Sequence, residues 1–215
     1  DVLWTPLPNQ RDYDPCDFFG GDFEGIEAKL DYLSGMGVTL IYLNPIFEAQ
    51  SNHRYNTGDY HRADEMLGGE EGLRRLIAEA GKRGIRLMLD GVFSHTGDES
   101  IYFNRKGNYP GLGAYQGRES AYYDWYEFVD FPDKYGCWWG FKSLPEVNEL
   151  NRGYMAFAAG VIDHYARLGI DCWRLDVADE LPDGFIAFLR RELKARAKDG
   201  ILIGEVWEDA STKQG

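Results

Sequence analysis

Four short apolar segments, each directly after a glycine, constrain the fold more than any other feature of this sequence. They are rich in valine, isoleucine, leucine and aromatic residues, and they cover residues 38–43, 85–93, 170–177 and 201–207. Strands that are apolar on both faces are typical of a parallel sheet covered by helices. The segments therefore predict buried parallel strands rather than the half-exposed strands of an antiparallel sheet.

Amphipathic helices are predicted before and between these strands. Residues 71–83 and 154–165 space their apolar side chains three and four positions apart, which puts them on one helix face. Residues 24–33 and 184–197 show the pattern more weakly, each after an aspartate that can cap the first turn. These aspartates are Asp22 and Asp183. The repeated order of helix and strand predicts an α/β fold with right-handed crossovers.

A long interruption, from about residue 96 to residue 151, separates the second and third predicted strands. It is punctuated by Gly, Asn and Pro and then becomes densely aromatic. Because structureless loops of this length are rare in compact domains, we interpret it as a small inserted subdomain. Its aromatic side chains are expected to form mainly a core of their own, with a minority lining a cleft.

The composition argues against several classes of protein. Lys and Arg number 23 against 36 Asp and Glu, so the net charge is −13 and a basic surface for nucleic acid is not expected. No apolar run approaches the roughly 20 residues of a membrane-spanning helix, so no membrane partner is expected. Cys16, Cys137 and Cys172 are an odd number without close spacing, which fits neither a disulfide framework nor a cysteine-rich zinc site.

Charged residues stand near the carboxyl ends of the apolar segments. Asp90 lies in the second half of the second segment, Arg174 and Asp176 in that of the third, and Glu205 in that of the fourth. In parallel barrels these strand ends are where active-site groups converge. Since neighbouring strands lie about 4.8 Å apart, Asp176 and Glu205 could face each other near the roughly 5 to 5.5 Å of retaining glycosidases.

Different roles are expected for these two carboxyl groups. Arg174, two positions before Asp176 and on the same side of the strand, would keep Asp176 ionised and nucleophilic. Glu205, expected deeper among apolar neighbours, would have a raised pKa and stay protonated. Spacing alone leaves open that the Arg-x-Asp pair is only a structural ion pair and that His95 is a structural histidine. No metal-site spacing is found for the other histidines, His53, His61 and His164.

Four blocks, in order along the chain, resemble those of the α-amylase family of glycoside hydrolases. They are DGVFSH at 90–95, LPEVN at 144–148, GIDCWRLD at 169–176 and GEVW at 204–207. A closer likeness is to the neopullulanase, cyclomaltodextrinase and maltogenic amylase branch, carried by the segments 18–26, 42–47, 51–60 and 120–126. The resemblance covers nearly the whole chain and implies a retaining α-glucan hydrolase on a (β/α)8 barrel.

Carried over position by position, the resemblance implies a role for each matching residue. Asp176 would be the nucleophile, Glu205 the general acid/base and Arg174 the partner of Asp176. His95 would donate a hydrogen bond to the sugar in the cleaved subsite, and Tyr55 would stack beneath that sugar. The residues with implied substrate contacts are Arg174, His95, Tyr55, Asp90, Asn148, Glu180 and Trp207, the last two on the acceptor side. The chemistry implies no cofactor, but relatives often hold a structural calcium ion, and Gly20 and Asp22 match part of one such site.

Four positions depart from the family pattern without removing a catalytic carboxylate. Ser94 and Asp179 stand where Asn is usual, Asn56 where Asp is frequent, and Glu208 where His commonly follows the tryptophan. These changes alter charge and hydrogen-bonding capacity at the rim of the cleft. They bear on substrate preference and on any calcium linked to the first block.

We expect the chain to hold part of a barrel, about strands 2 to 5, with the insertion after the third barrel strand. Its first residue is Asp, no leader pattern is visible and the family's third carboxylate block is not found, so a piece of a longer protein is expected. The compartment stays unassigned, with the cytoplasm favoured over secretion. Open barrel edges would favour homo-oligomers or association with another chain. The expected parts are barrel at 1–95, insertion at 96–151 and barrel again at 152–215.

Three functional hypotheses remain. The first is a parent enzyme that cleaves α-1,4 bonds, with α-1,6 bonds left open, in maltooligosaccharides, cyclodextrins, pullulan or starch, with transglycosylation beside hydrolysis. In that case the isolated chain is expected to be inactive. The second is a non-catalytic carbohydrate-binding or assembly fragment, and the third is a glucosyltransferase or isomerase of the same family.

Overall fold

The computed structural model describes residues 15–18 and 20–209. Helices in this part of the chain are α1 (Phe23–Glu27), α2 (Leu30–Gly35), α3 (Gly69–Gly81), α4 (Arg152–Leu168) and α5 (Asp183–Arg196). Strands are β1 (Leu40–Tyr42), β2 (Phe47–Ala49), β3 (Thr57–Ala63), β4 (Arg86–Gly91), β5 (Phe128–Asp130), β6 (Lys134–Tyr135), β7 (Cys172–Leu175) and β8 (Ile201–Gly204).

A four-stranded parallel sheet forms the centre, in the order β1, β4, β7, β8. All four predicted strands are therefore confirmed, although each is shorter than its apolar segment. The reason is that burial continues past the strand ends: Val92, Phe93 and Val177 are buried in the loops that follow β4 and β7. These loops begin at the carboxyl ends of the strands, where the charged residues lie.

The long helices α3 and α4 lie close to their predicted positions and cover the sheet with apolar side chains. In α4, Asn151 accepts hydrogen bonds from the N–H groups of Gly153 and Tyr154, and Gly169 ends the helix with a left-handed φ of 106°. Tyr165 of this helix packs at 5.9 Å from Trp173 of β7. Within the described residues, no helix has the length and apolar character needed to cross a membrane.

Two helix predictions need correction. Residues 24–33 form α1 and α2 rather than one helix, because the N–H of Lys29 bonds the carbonyl of Ile26, only three residues back, and tightens the turn. Asp22 caps α1 as predicted, accepting from the N–H of Gly25 at 2.7 Å. Asp183, predicted as a cap, is instead the first residue of α5, and Pro182 precedes it.

The aromatic side chains of residues 96–151 pack partly on the main core and partly on one another. Trp125 lies 4.9 Å from Phe157 and 5.1 Å from Tyr154, both on α4, and Tyr102 lies 5.8 Å from Tyr60 on β3. Other rings pack within the insertion as expected, since Phe103 lies 4.9 Å from Tyr126 and 4.8 Å from Tyr135, but the core they form is continuous with the main one. The segment itself contains the β5–β6 hairpin, and β2 and β3 form a further antiparallel pair that was not predicted.

Candidate active site

A cleft of about 610 Å³ opens at the carboxyl ends of the central strands. Its walls are built from the loops after β4, β7 and β8, from the loop between β2 and β3, and from the inserted segment. The predicted site residues that line it are Tyr55, His95, Arg174, Asp176, Glu205 and Trp207. Strand ends, the insertion and a hairpin loop thus meet at one concave surface.

The guanidinium of Arg174 is the centre of the charged groups at this cleft. Its Nη1 lies 2.7 and 2.8 Å from the two carboxylate oxygens of Asp90 and 2.8 Å from Oδ1 of Asp176. Its Nη2 lies 2.6 Å from Oε2 of Glu205. Asp90 is directly opposite Arg174 in the β4–β7 register, and Glu205 follows the neighbouring strand β8. One cation therefore holds three carboxyl groups from three adjacent strands, and the group has an excess of negative charge.

The predicted meeting of Asp176 and Glu205 is seen in the structure. Both bond to the same planar guanidinium, so they lie on one side of the sheet within the span of that group. This places them on the length scale of the roughly 5 to 5.5 Å separation that retaining glycosidases use. Both also line the cleft, so neither is sealed inside the core.

The predicted order of the two pKa values is wrong for this structure. Burial raises the pKa of Asp176 to about 7, and the charges of Asp90 and Glu205 act in the same direction against the pull of Arg174. For Glu205, burial opposes ionisation, but the N–H of Val177, the side chain of Trp207 and Arg174 outweigh it and lower the pKa. Glu205 is also the more exposed of the two carboxyl groups, with 29% of its side chain accessible against 8% for Asp176.

Asp90 bonds Arg174 but does not itself line the cleft. Its side chain is fully buried, and it accepts hydrogen bonds from the hydroxyl groups of Tyr42 and Tyr55 as well as from Arg174. Burial raises its pKa, against these donors. The implied substrate contact is therefore corrected, since a carboxylate enclosed in this way positions Arg174 rather than touching a ligand.

His95 lines the cleft with both ring nitrogens engaged inside the protein. Nε2 lies 3.1 Å from the carbonyl oxygen of Tyr55, which can only accept, so Nε2 carries the proton. Nδ1 then accepts from the hydroxyl of Ser94 at 2.8 Å. Burial lowers the pKa of His95 to about 4, so the ring is neutral near pH 7. Its implied donation to a sugar stays a prediction, because the donor atom already has a partner.

Of the remaining predicted substrate contacts, three lie at or beside the cleft and one does not. Tyr55 faces the cleft, and Trp207 stands exposed at its rim. Glu180 lies beside the rim and accepts hydrogen bonds from two tryptophans of the insertion. Asn148 does not reach the site: its N–H bonds the carbonyl of Trp125, and its side chain accepts from the N–H of Leu150, so it stabilises a turn.

Gly20 and Asp22 do not complete a calcium site. Calcium takes six to eight oxygen ligands in proteins, and one carboxylate oxygen of Asp22 is already committed to capping α1. Among residues 15–18 and 20–209, no group of three or more His, Cys, Asp or Glu side chains could hold a metal ion. The ion remains a prediction that rests on the resemblance.

Three contacts of the site were missed at the level of sequence. Tyr42 ends β1 and so occupies the same strand-end position as the acids. It could therefore have been predicted from the sequence as a residue of the site. Val177 takes a left-handed φ of 42° and donates its N–H to Oε2 of Glu205 at 3.1 Å, an arrangement that no sequence signal indicates for a β-branched residue. The pairing of Trp138 and Trp139 with Glu180 joins positions about forty residues apart in sequence.

Known proteins match this chain over most of its length. Residues 8–214 match the family described as Alpha amylase, catalytic domain. An amylopullulanase of Thermoanaerobacterium saccharolyticum is 44% identical over 217 residues, which cover 91% of this chain and 17% of that protein. A cyclomaltodextrinase of Geobacillus thermopakistaniensis is 37% identical over 212 residues, covering 93% of this chain and 34% of that protein.

A solved structure agrees with these matches. The cyclic alpha-maltosyl-(1→6)-maltose hydrolase of Arthrobacter globiformis superposes with a TM-score of 0.83 at 34% identity, over 90% of this chain and 44% of that one. The chain thus spans between 17% and 44% of the length of these three proteins. The predicted fold class, a part of an α/β barrel, is confirmed. The matched residues and the parallel sheet show that the chain belongs to the α-amylase family and carries part of its catalytic domain.

Proposed function

We propose that this chain carries the reacting groups of a retaining α-glucan hydrolase. The observation that carries the proposal is the meeting of Asp90, Asp176 and Glu205 at Arg174, beside a cleft at the strand ends. The substrates would be maltooligosaccharides, cyclodextrins, pullulan or starch, cleaved at α-1,4 bonds and, as a second linkage, at α-1,6 bonds. The names of the relatives, which are hydrolases of such glucans, support this substrate class.

The reaction follows from two carboxyl groups on one side of the sheet. In the first step Asp176 attacks the anomeric carbon, the glycosidic bond breaks, and Glu205 gives its proton to the leaving oxygen. In the second step Glu205 takes a proton from water, the water oxygen attacks the same carbon, and Asp176 is released. If a second sugar replaces water, the product is a transglycosylated oligosaccharide.

Substrate binding itself would set the protonation state that this reaction needs. Three carboxyl groups surround one guanidinium, so the three together retain a proton near neutral pH. The pKa of Asp176 is about 7. Catalysis requires that proton on Glu205. A sugar that covers the exposed side chain of Glu205 withdraws it from water, and this raises its pKa. The bound substrate thereby favours protonated Glu205 and ionised Asp176.

The assignment is tested in an enzyme that contains this sequence within a complete barrel. Asp176→Asn should lower kcat by more than about 1,000-fold, because the covalent route is lost. Glu99→Gln is the matched control, since Glu99 lines the same cleft but bonds Lys106 and Asn108 instead of Arg174. Turnover of Asp176→Asn at near-normal rates would remove Asp176 from the mechanism.

Azide separates the roles of the two acids by the stereochemistry of the product. In Asp176→Ala, azide would occupy the place of the nucleophile and give the β-glycosyl azide. In Glu205→Ala, azide would attack the glycosyl-enzyme in place of water and give the α-glycosyl azide. The reverse pattern would exchange the two roles. Product analysis on maltotriose, with and without excess glucose, separates hydrolysis from glucosyl transfer.

A further inference from the structure

The loop between β2 and β3, residues 50–56, forms a thin wall with open space on both sides. The cleft lies on one side, and a second cavity of about 510 Å³, beside α1 and β1, lies on the other. His53 and Tyr55 line both cavities. Side-chain packing therefore supports this loop only in part, and its shape depends on hydrogen bonds and ion pairs.

Tyr55 connects this loop to the reacting groups. Its hydroxyl donates to Asp90 at 3.2 Å, and its carbonyl oxygen accepts from Nε2 of His95 at 3.1 Å. Its N–H donates to Nδ1 of His53 at 3.1 Å. Because Asp90 in turn bonds Arg174, a displacement of Tyr55 would reach the guanidinium at the centre of the reacting acids.

Arg54, the neighbour of Tyr55 in this loop, has a strained backbone conformation. Its φ is 61°, in the left-handed region that is uncommon for a residue with a long side chain. Arg54 lines the second cavity and not the cleft. Since such a conformation persists only where its surroundings hold it, the contacts of Arg54 must supply the support.

A buried ion pair is the strongest of these contacts. Nε of Arg54 lies 2.7 Å from Oδ2 of Asp64, and the two side chains are only 10% and 8% exposed. Nη1 of Arg54 donates to the carbonyl of Asn52 at 3.1 Å, and the guanidinium lies 5.4 Å from the ring centre of Phe18. Asp64 is itself fixed, because its Oδ1 accepts from the N–H of Met66 at 2.8 Å. The pair therefore ties the loop to the segment that follows β3.

We infer that Arg54, paired with Asp64, is a positioning residue that holds Tyr55 in place at the cleft. The inference rests on the proposed function and adds to it a residue that contacts none of the reacting acids. Arginine suits this role, because its planar guanidinium bonds a carboxylate and a backbone carbonyl at once, whereas lysine acts as a single point charge. Without the pair, the backbone at residue 54 would relax, and Tyr55 would leave its contacts with Asp90 and His95.

The test is a double-mutant cycle on kcat/KM for maltotriose, in an enzyme that contains this sequence within a complete barrel. Arg54→Leu combined with Asp64→Asn removes the ion pair without leaving a lone buried charge. The combined change should lower kcat/KM roughly 10- to 100-fold, because small displacements of active-site groups are costly. In a Tyr55→Ala background the same change should lower kcat/KM less than about twofold, since the residue to be positioned is gone. A merely structural role would give the same factor in both backgrounds.

Further variants separate the backbone conformation from the charge. Arg54→Gly combined with Asp64→Asn adopts the left-handed φ without strain and should recover part of the loss in kcat/KM. Arg54→Lys keeps the charge without the planar fork and should give an intermediate loss. Arg86→Leu combined with Asp171→Asn is the matched control, because it removes an ion pair of 2.8 Å at the amino ends of β4 and β7 and should leave kcat/KM unchanged.

Equal factors in the two backgrounds, or an unchanged kcat/KM after removal of the Arg54–Asp64 pair, would overturn the inference. Circular dichroism shows whether each variant is folded, and Arg54→Lys replaces the combined change in the cycle if that variant is not. Failure of the proposed function has a different signature, namely near-normal turnover by Asp176→Asn while the coupling between residues 54 and 55 persists. If the wild-type enzyme does not turn over maltotriose, the same cycle is measured on maltotriose affinity by calorimetry. Additive losses or absent binding there would again overturn the inference.

Discussion

The central and edge strands of the sheet have similar apolar sequences but different surroundings. β4 and β7 are almost entirely buried, whereas β1 and β8 are half-exposed. The carboxyl groups follow the same gradient, with side chains 0% exposed at Asp90, 8% at Asp176 and 29% at Glu205. The pKa is raised at the first two and lowered at the third. The pKa is therefore raised at the two more deeply buried acids, and at Glu205 the hydrogen bonds from Val177 and Trp207 and the charge of Arg174 outweigh burial.

The largest effect should come from truncating a side chain of a central strand. Trp173 on β7 is fully buried against Phe93 and Tyr165, so Trp173→Ala should lower the free energy of unfolding by roughly 3 to 5 kcal/mol. Ile203→Ala, on the edge strand β8, should cost less than about 1 kcal/mol, because Ile203 is largely exposed. Urea unfolding of the 215-residue chain measures both. Equal losses would remove the distinction between centre and edge.

The next effect is a dependence of stability on pH that belongs to Asp176. Its carboxyl has an ordinary pKa of 3.8 and a folded pKa of about 7, so between these values the folded state binds more protons than the unfolded state. Stability should therefore fall as the pH rises from about 4 to about 7, by roughly 2 to 4 kcal/mol, and the loss is complete above pH 7. Asp176→Asn cannot ionise and should remove the part of this fall that belongs to Asp176, whereas Glu149, whose pKa burial also raises to about 7, should keep its own part.

A matched variant on the edge strand sharpens the pH experiment. Glu205 has a lowered pKa, so its own contribution is lost only as the pH falls below its ordinary value of 4.5. Glu205→Gln should keep the fall in stability but move it to lower pH, because the charge of Glu205 helps to raise the pKa of Asp176. The measurement is the free energy of unfolding from pH 4 to 8. An unchanged slope in Asp176→Asn would contradict the assignment.

The smallest effect compares two glycines that flank Leu175 on either side. Gly91 on β4 and Gly204 on β8 both pair with Leu175. A Cβ at Gly91 would lie 2.7 Å from the buried ring of Phe93 and 3.2 Å from the carbonyl of Arg174, so Gly91→Ala should cost roughly 2 to 3 kcal/mol. A Cβ at Gly204 would meet only Ala178, at 2.7 Å, and the edge strand can yield, so Gly204→Ala should cost about 1 kcal/mol. Urea midpoints in the reverse order would show that the edge is the more rigid.

Sequence reasoning succeeded where a local pattern decides the outcome. The apolar segments and glycine stops placed the central strands, and acids at their carboxyl ends were expected to meet, as Asp176 and Glu205 do at Arg174. The pair β2 and β3 was missed because Thr57–Ala63 mixes Asp, His and Arg with its buried Tyr60. The predicted order of the two pKa values was wrong because it depends on how deeply each carboxyl group is buried and on which donors reach it, and neither can be read from the strand-end pattern.

The acids and the paired tryptophans of the cleft come from different parts of the chain, and this has an evolutionary consequence. The acids at Arg174 come from strand ends, while the Trp138–Trp139 pair comes from the inserted segment and donates both indole N–H groups to Glu180. Substitutions in residues 137–141 or at position 180 would change this wall of the cleft and leave the contacts of Arg174 with Asp90, Asp176 and Glu205 in place. The two parts of the cleft can therefore change independently in descendants of this gene.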